Sequence, residues 1–566
     1  MENTGQTPLS SSSKPARSGV VTVVLHAHLP YIRHPEWTSF YEETWLYEAI
    51  SETYLPLLRM MDTLEAENVG FRLTMSVTPP LCEMLADTLL RGRFASRLDA
   101  LERTARKEAE RQDGTPLGES ARFAAQELES VRATWERWDG QVLAGLRHHE
   151  ERGCLELMTC AATHGYLPLM ATDEARRAQI AIACDTHARH FGRRPRGIWL
   201  PECAYAPDLE WLLADAGIRY FFLEKHGLLH ASPPARFGTA RPVLTESGVA
   251  AFARDPECSN QIWSAESGYP GDPYYREFYR DLGYDGSEEQ VGELLTGGGF
   301  RHPVGLKYHR ITGRVRLDEK APYLPLAARY QAAAHASDFL ARRQSQLERL
   351  GEQMSVEPVV VAPFDAELFG HWWFEGPMFL EFLFRKAHFD QTAVGLATPC
   401  EVLDAEEPIE VVQPAQSSWG DRGYYRVWLN EGNAWFYKHL HAAEEAMIRL
   451  AITLVHPSPF ELRAVNQAAR ELLLAQSSDW AFLVTMATAG DYPKSRTLLH
   501  LKRFQVLVEQ LDEGVVDVDF LLECERRDNL FANIDYREWR SDRVLRHGAG
   551  AAVHSAPVHG ISGAAV

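Results

Sequence analysis

Glu202 stands two residues past the apolar run Gly197-Ile198-Trp199-Leu200, and Asp365 follows the run Val359-Val360-Val361-Ala362-Pro363-Phe364. In parallel α/β barrels the chemistry collects at the C-terminal ends of the strands. A carboxyl group at each of two strand ends is the pair that glycosidic-bond chemistry requires. One attacks the anomeric carbon and the other protonates the leaving oxygen, and a retaining mechanism sets them about 5–5.5 Å apart. Asp365 leads into Glu367, His371, Trp372 and Trp373. Partial burial near such aromatics raises a carboxyl pKa, which a general acid needs. A helix-capping glutamate is the competing reading of Glu202, since Ala206-Pro207-Asp208 begins a helix soon after it.

Histidines occupy equivalent positions. Leu25-His26-Ala27-His28-Leu29-Pro30 follows the first strand-like run, and residues i and i+2 of a strand share a face. Both imidazoles then point into one pocket, as metal ligands or as hydrogen-bonding groups for a polar substrate; two satisfied core histidines would read the same. His164, in Ala161-Ala162-Thr163-His164-Gly165-Tyr166, repeats the arrangement after Cys154–Thr159. Trp419 in Ser417-Ser418-Trp419-Gly420, Trp428 nine residues on, and Trp480 in Ser477-Ser478-Asp479-Trp480 have the composition of loops whose tryptophans stack on the apolar C–H faces of sugar rings. Core packing is the alternative for each.

The elements that carry these residues alternate. Strand-like runs at 20–25, 71–77, 154–159, 197–200, 220–223 and 358–362 are separated by segments of helical periodicity such as 173–191, which predicts parallel βα units. Residues 84–151, rich in Arg, Glu and Ala, interrupt that rhythm and predict a helical insertion with a solvated charged face. A region of long loops and inserts spans about 224–310. Within it, 264–310 is dense in Tyr, Gly and Pro, the composition of a functional loop. Composition shifts near 405. The expected organisation is a leader over 1–18, a catalytic barrel over 19–405, an all-helical C-terminal domain over 406–540 and a tail over 541–566, leader and tail being disordered.

The 566 residues carry 58 Lys+Arg against 78 Asp+Glu, a net charge of −20. Phosphate contacts need an excess of basic residues, so nucleic acid is not an expected partner. No run of 18 apolar residues exists, so no membrane span is expected, and the polar start lacks the apolar core of a secretory signal. Eight cysteines are scattered with no C-x-x-C pair. They predict a reduced, cytoplasmic protein.

Taken in order, the blocks HAHLP, ATHGYLPL, GIWLPECAY, PFDAELFGHWWFEGP and SSWGDRGYYRVWL resemble glycoside hydrolase family 57 over about residues 20 to 535. Within that family GYPGDPYYREFYRD and AQSSDWAFL are similar to the 1,4-α-glucan branching enzymes. The resemblance implies an α/β fold, an incomplete (β/α)7 barrel with a helical C-terminal domain. It also implies a retaining transfer in which an α-1,4 bond is cut and an α-1,6 branch made in a glycogen- or amylose-like glucan. By matching blocks, Glu202 resembles the nucleophile and Asp365 the general acid/base. His26, His28 and His164 would hold sugar hydroxyls, Trp263, Trp419 and Trp428 would line the glucan groove, and Asp479 lies in the matching C-terminal block. Neither a cofactor nor a metal is implied, which turns the paired histidines towards hydrogen bonding. The family's branching enzymes carry a tyrosine on a loop over the site. The corresponding segment here, 226–238, has none, and Phe237 is the residue expected to cover the site. A raised share of hydrolysis, or a changed acceptor preference, follows from that difference. The neighbouring readings are a 4-α-glucanotransferase or α-amylase on the same scaffold, a metal-dependent polysaccharide deacetylase, and a non-catalytic glycan-binding protein. A monomer or small homo-oligomer is expected.

Overall fold

The computed structural model describes residues 17–264, 268–296, 299–405 and 407–541. Most of the expected leader and all but the first residue of the expected tail lie outside the described residues. Of the leader, Ser18 donates its N–H to the Ala393 carbonyl at 2.7 Å.

Among the described residues nine strands run in chain order as β1 (Gly19–Ala27), β2 (Leu73–Val77), β3 (Leu155–Met158), β4 (Gly197–Ile198), β5 (Tyr220–Leu223), β6 (Val243–Leu244), β7 (Ala250–Ala253), β8 (Val359–Asp365) and β9 (Val394–Leu396). One sheet has the order β3-β2-β1-β8, with β9 also paired to the start of β1, and the other runs β4-β5-β7-β6. All pairings are parallel except β6 with β7. The Thr159 and Trp199 amides bridge β3 to β4, and the Asp255 amide reaches the Val361 carbonyl at 2.9 Å. Seven parallel strands, β1 to β5, β7 and β8, thus surround one interior, joined at two seams by isolated hydrogen bonds, with β9 lying parallel beside the start of β1: an incomplete (β/α)7 barrel.

Period-two alternation decides which side chains enter that interior. Val20 and Val24 of β1 and Val359 and Val361 of β8 pack there with Met158, Cys160, Trp199, Tyr220, Phe222 and Phe252. Val21, Val23 and Leu25 face the surrounding helices. The same parity carries forward to His26 on β1 and Asp365 on β8, which are register partners.

The insertion forms helices Thr88–Arg111, Gly118–Arg137 and Val142–Glu151. The C-terminal bundle starts at Trp435 and comprises Trp435–Thr453, Pro459–Ala475, Ser478–Met486, Tyr492–Glu513 and Val518–Arg527. Between the two, the chain is still attached to the barrel. Val411 bridges to Leu244, Gln413 to Ser232 and Ser417 to Tyr205, so the change to helices falls after the composition shift near 405.

Candidate active site

A cleft of about 1900 Å³ opens over the C-terminal ends of the strands. Nine residues that the family resemblance places at the site line it: His26, His28, His164, Glu202, Trp263, Asp365, Trp419, Trp428 and Asp479.

Glu202 lies in the turn after β4 with left-handed backbone angles, φ 62° and ψ 24°, and His164 in the turn after β3 has φ 56°. Side chains disfavour this region, and such residues persist where the surroundings overdetermine them. Here each strained carbonyl accepts a hydrogen bond from the C-terminal half of the chain. The Trp419 N–H donates to Glu202 O at 3.0 Å, and the Ser478 N–H to His164 O at 3.1 Å. Glu202 is therefore no helix cap.

Its carboxylate is also held. Trp419 Nε1–H donates to Oε2 at 2.6 Å, and Ser478 Oγ lies 3.3 Å from Oε1. Burial raises the Glu202 pKa to about 7, against the lowering effect of the Trp419 and Ser478 hydrogen bonds and of His28. Asp365 receives no hydrogen bond among the described residues. Burial, then the charges of Glu367 and Glu202, push its pKa well above the ordinary aspartate value, and Arg254 opposes them. Burial raises both carboxyl groups, but only Glu202 has donors on its oxygens that favour the charged form, so of the two Asp365 is the one whose surroundings more strongly favour the protonated state.

The three histidines form one stack, with ring centroids of His28 and His164 3.8 Å apart and those of His26 and His164 5.2 Å apart. His26 and His164 contact each other Nε2 to Nε2 at 3.0 Å. Burial, and then a neighbouring imidazole, drives both pKa values well down. Both rings are neutral at pH 7, able to donate and to accept. Burial would depress His28 as well, but Asp479, 3.0 Å from its Nε2, outweighs that and holds its pKa above the histidine value. The far ring nitrogen of His28 meets Thr78 Oγ1 at 3.0 Å, and that of His164 meets Ser478 Oγ at 2.8 Å.

Other cleft groups were given no role from the sequence, Glu367, His371 and Trp372 being named there only as the residues that follow Asp365, and Tyr54 and Glu52 not at all. Glu367 accepts from the His28 N–H at 3.1 Å and from the Tyr54 hydroxyl. Tyr54 reaches it from a π-helical turn, Ile50–Tyr54, which also sends Glu52 to His371 Nδ1 at 2.6 Å. Single π turns recur at functional sites, and no residue pattern in Ile50–Tyr54 announces one. Trp372, 54% exposed, stacks on Phe278 at 4.3 Å, building an aromatic ledge on the Tyr-rich segment. Its block was noticed in the sequence; its exposure was not readable there.

The tryptophans divide. Trp263 is 37% exposed and presents a ring to the cleft. Trp419 is half-buried, and its N–H is committed to Glu202. Trp428 is 1% exposed and packs on Tyr166 at 5.0 Å, so although it borders the cleft its ring is buried rather than free to stack on a sugar. Trp480 is buried under the cleft with its N–H on Leu474 O. Phe237 corrects the expectation of a covering residue, since it does not line the cleft. The segment folds away because Lys225–Leu229 is helical, Ser232 pairs with Gln413, and Arg236, beside Phe237, binds Glu410 through its N–H. The Arg236 guanidinium sits 5.0 Å from the Phe237 ring.

The chain matches the model of glycosyl hydrolase family 57 over residues 22–414, and that of the C-terminal domain of 1,4-alpha-glucan branching enzymes over 439–539. It is 35% identical to a 1,4-alpha-glucan branching enzyme of Thermococcus kodakarensis, across 91% of this chain and 77% of that protein. Among solved structures it is similar to a branching enzyme of this family from Pyrococcus horikoshii, with a TM-score of 0.84 at 35% identity, covering 93% of this chain and 97% of that one. It is also similar to the alpha-amylase AmyC from Thermotoga maritima, with a TM-score of 0.88 at 44% identity, covering 94% and 100%.

Proposed function

The chain belongs to glycosyl hydrolase family 57, and from that premise we propose that it is a 1,4-α-glucan branching enzyme. The observation that carries this reading is the contribution of the C-terminal domain to the cleft. Asp479 and Ser478 lie at its first cleft-facing turn and bind His28, His164 and Glu202, and the domain is the part that matches the branching-enzyme model.

In the proposed mechanism Glu202 attacks the anomeric carbon of an α-1,4 bond, while Asp365 gives its proton to the departing 4-oxygen. The C–O bond breaks and a glycosyl ester forms on Glu202. Asp365, now a carboxylate, takes the proton of an acceptor 6-hydroxyl. That oxygen displaces Glu202 and creates the α-1,6 bond, leaving both carboxyl groups as they began. His26, His28 and His164 hydrogen-bond the sugar hydroxyls, and Trp263 and the Trp372 ledge stack on the chain. Transfer prevails where the acceptor is held in place and water kept out. The substrate is an amylose- or glycogen-like glucan, and glycogen synthesis in the reducing cytoplasm is the setting. Eight unpaired cysteines, seven of them buried, support that compartment.

Hydrolysis is favoured as a side reaction by one observation: segment 226–238 holds no tyrosine and turns Phe237 off the cleft. Incubation with amylose followed by proton NMR tests both. Growth of the α-1,6 anomeric signal supports branching, and the accompanying reducing ends measure hydrolysis. Reducing ends without α-1,6 signal would refute the branching assignment.

A further inference from the structure

A second histidine–carboxylate cluster lies where the insertion meets an earlier helix, outside the cleft. Helix Leu55–Ala66 presents Asp62 and Glu65, and helix Val142–Glu151 presents the adjacent residues His148 and His149. Glu65 Oε2 lies 2.7 Å from His148 Nε2 and 3.6 Å from His149 Nδ1. These three ligand atoms all fall within 4.8 Å of one another. Bonds of 2.0–2.2 Å to a tetrahedral zinc ion place ligand atoms about 3.4 Å apart, so only small side-chain adjustments are needed.

Two features set this cluster apart from an ordinary ion pair. His149 is fully buried, and its Nδ1 has no hydrogen-bond partner although it faces the Glu65 carboxylate. Its other nitrogen, Nε2, is 3.0 Å from Asp62 Oδ1, while Asp62 Oδ2 accepts from Trp138 Nε1–H at 3.2 Å. A carboxylate that fixes the tautomer of a histidine so that the free nitrogen points at a neighbouring donor is the usual outer support of a metal-bound imidazole. Glu65 Oε1 is occupied by Arg152 at 2.8 Å, which leaves Oε2 for the site. His148 is 37% exposed, so the fourth position is open to solvent.

We propose that Glu65, His148 and His149 form a binding site for a borderline-soft divalent cation of the zinc type, clamping the last helix of the insertion to helix Leu55–Ala66. Two imidazoles and one carboxylate match that ion's preferences.

The test is zinc titration of the chelator-stripped full-length protein against a competing chromophoric chelator, together with cobalt substitution and thermal unfolding. The variants are His148→Ala, at a partly exposed position that leaves the core intact, and Glu65→Gln. The wild type should bind one zinc ion that neither variant retains, with affinity falling more than about 100-fold on loss of a ligand. It should also show the visible absorption of four-coordinate cobalt and a zinc-dependent rise in Tm, both absent from the variants. Unchanged glucan turnover on adding zinc would agree with a site remote from the cleft. Equal zinc binding by the wild type and both variants would overturn the proposal, as would no binding at all.

Discussion

Trp419 holds Glu202 twice: its indole N–H donates to the carboxylate at 2.6 Å, and its backbone N–H donates to the Glu202 carbonyl at 3.0 Å. One residue, 217 positions away in sequence, thereby fixes both the charge and the left-handed backbone of the proposed nucleophile. Trp419→Phe keeps the ring and removes only the indole donor. A hydrogen bond to a charged group contributes about 1.5–3 kcal/mol, so kcat/KM should fall roughly 10–100-fold. Burial holds the Glu202 pKa at about 7 and this hydrogen bond lowers it. Its loss should move the acidic limb of the kcat/KM profile to higher pH. A variant with parental pH dependence would remove Trp419 from this role.

Glu202→Gln should abolish turnover and yet stabilise the fold. The folded pKa of about 7 lies above the 4.5 of an unperturbed glutamate. The cost of the buried charge is therefore absent below about pH 4.5 and complete above pH 7, where the difference between the two values corresponds to about 3 kcal/mol. Tm measured at pH 8 should be higher for the variant, and the difference should shrink towards pH 5. Asp365→Asn should lower kcat by about 100–10,000-fold, the range of general acid–base catalysis. Substantial branching by either variant would withdraw its assignment.

Asp479 acts across the domain boundary. Burial opposes its ionisation, but His28, by charge and hydrogen bond, holds its pKa at about 2, below the ordinary 3.8. That difference stabilises the fold above pH 3.8 and is lost as pH falls towards 2. Asp479→Asn should cost about 2 kcal/mol at neutral pH, with a gap to the parent that narrows in acid unfolding. His28 loses the partner that keeps its pKa high, so glucan turnover should drop as well.

The turn after Trp419 is intolerant of side chains. Gly423 has φ 74°, and a Cβ there would lie 2.5 Å from the His226 ring. His226 Nε2 in turn donates to the Gly423 carbonyl at 2.7 Å. Gly423→Ala should lower stability by about 1 kcal/mol or more and, by displacing Trp419, lower kcat more than it raises KM. Steady-state kinetics at full folding, checked by circular dichroism, separates the two effects.

The sequence by itself determined the ends of the strands and what stands on them. Apolar β-branched runs mark β1 and β8, and period-two parity then carries His26 and Asp365 into the barrel interior. That signal is local, so it survives without knowledge of any partner. It fails for β6, Val243–Leu244, β7, Ala250–Ala253, and β9, Val394–Leu396, which are too short to show a pattern of their own and form strands only because neighbours offer hydrogen bonds. Only the tertiary structure decided which residues act on the carboxylates. Trp419 and Trp428 stand nine positions apart in one block, yet the first bonds Glu202 and the second is buried against Tyr166. Phe237 turned away because Ser232 and Arg236 are tied to Gln413 and Glu410. The Glu202 pKa of about 7 arises from burial weighed against donors more than 200 residues distant. Such balances depend on distances of a few ångströms between remote segments, and no spacing along the chain encodes them.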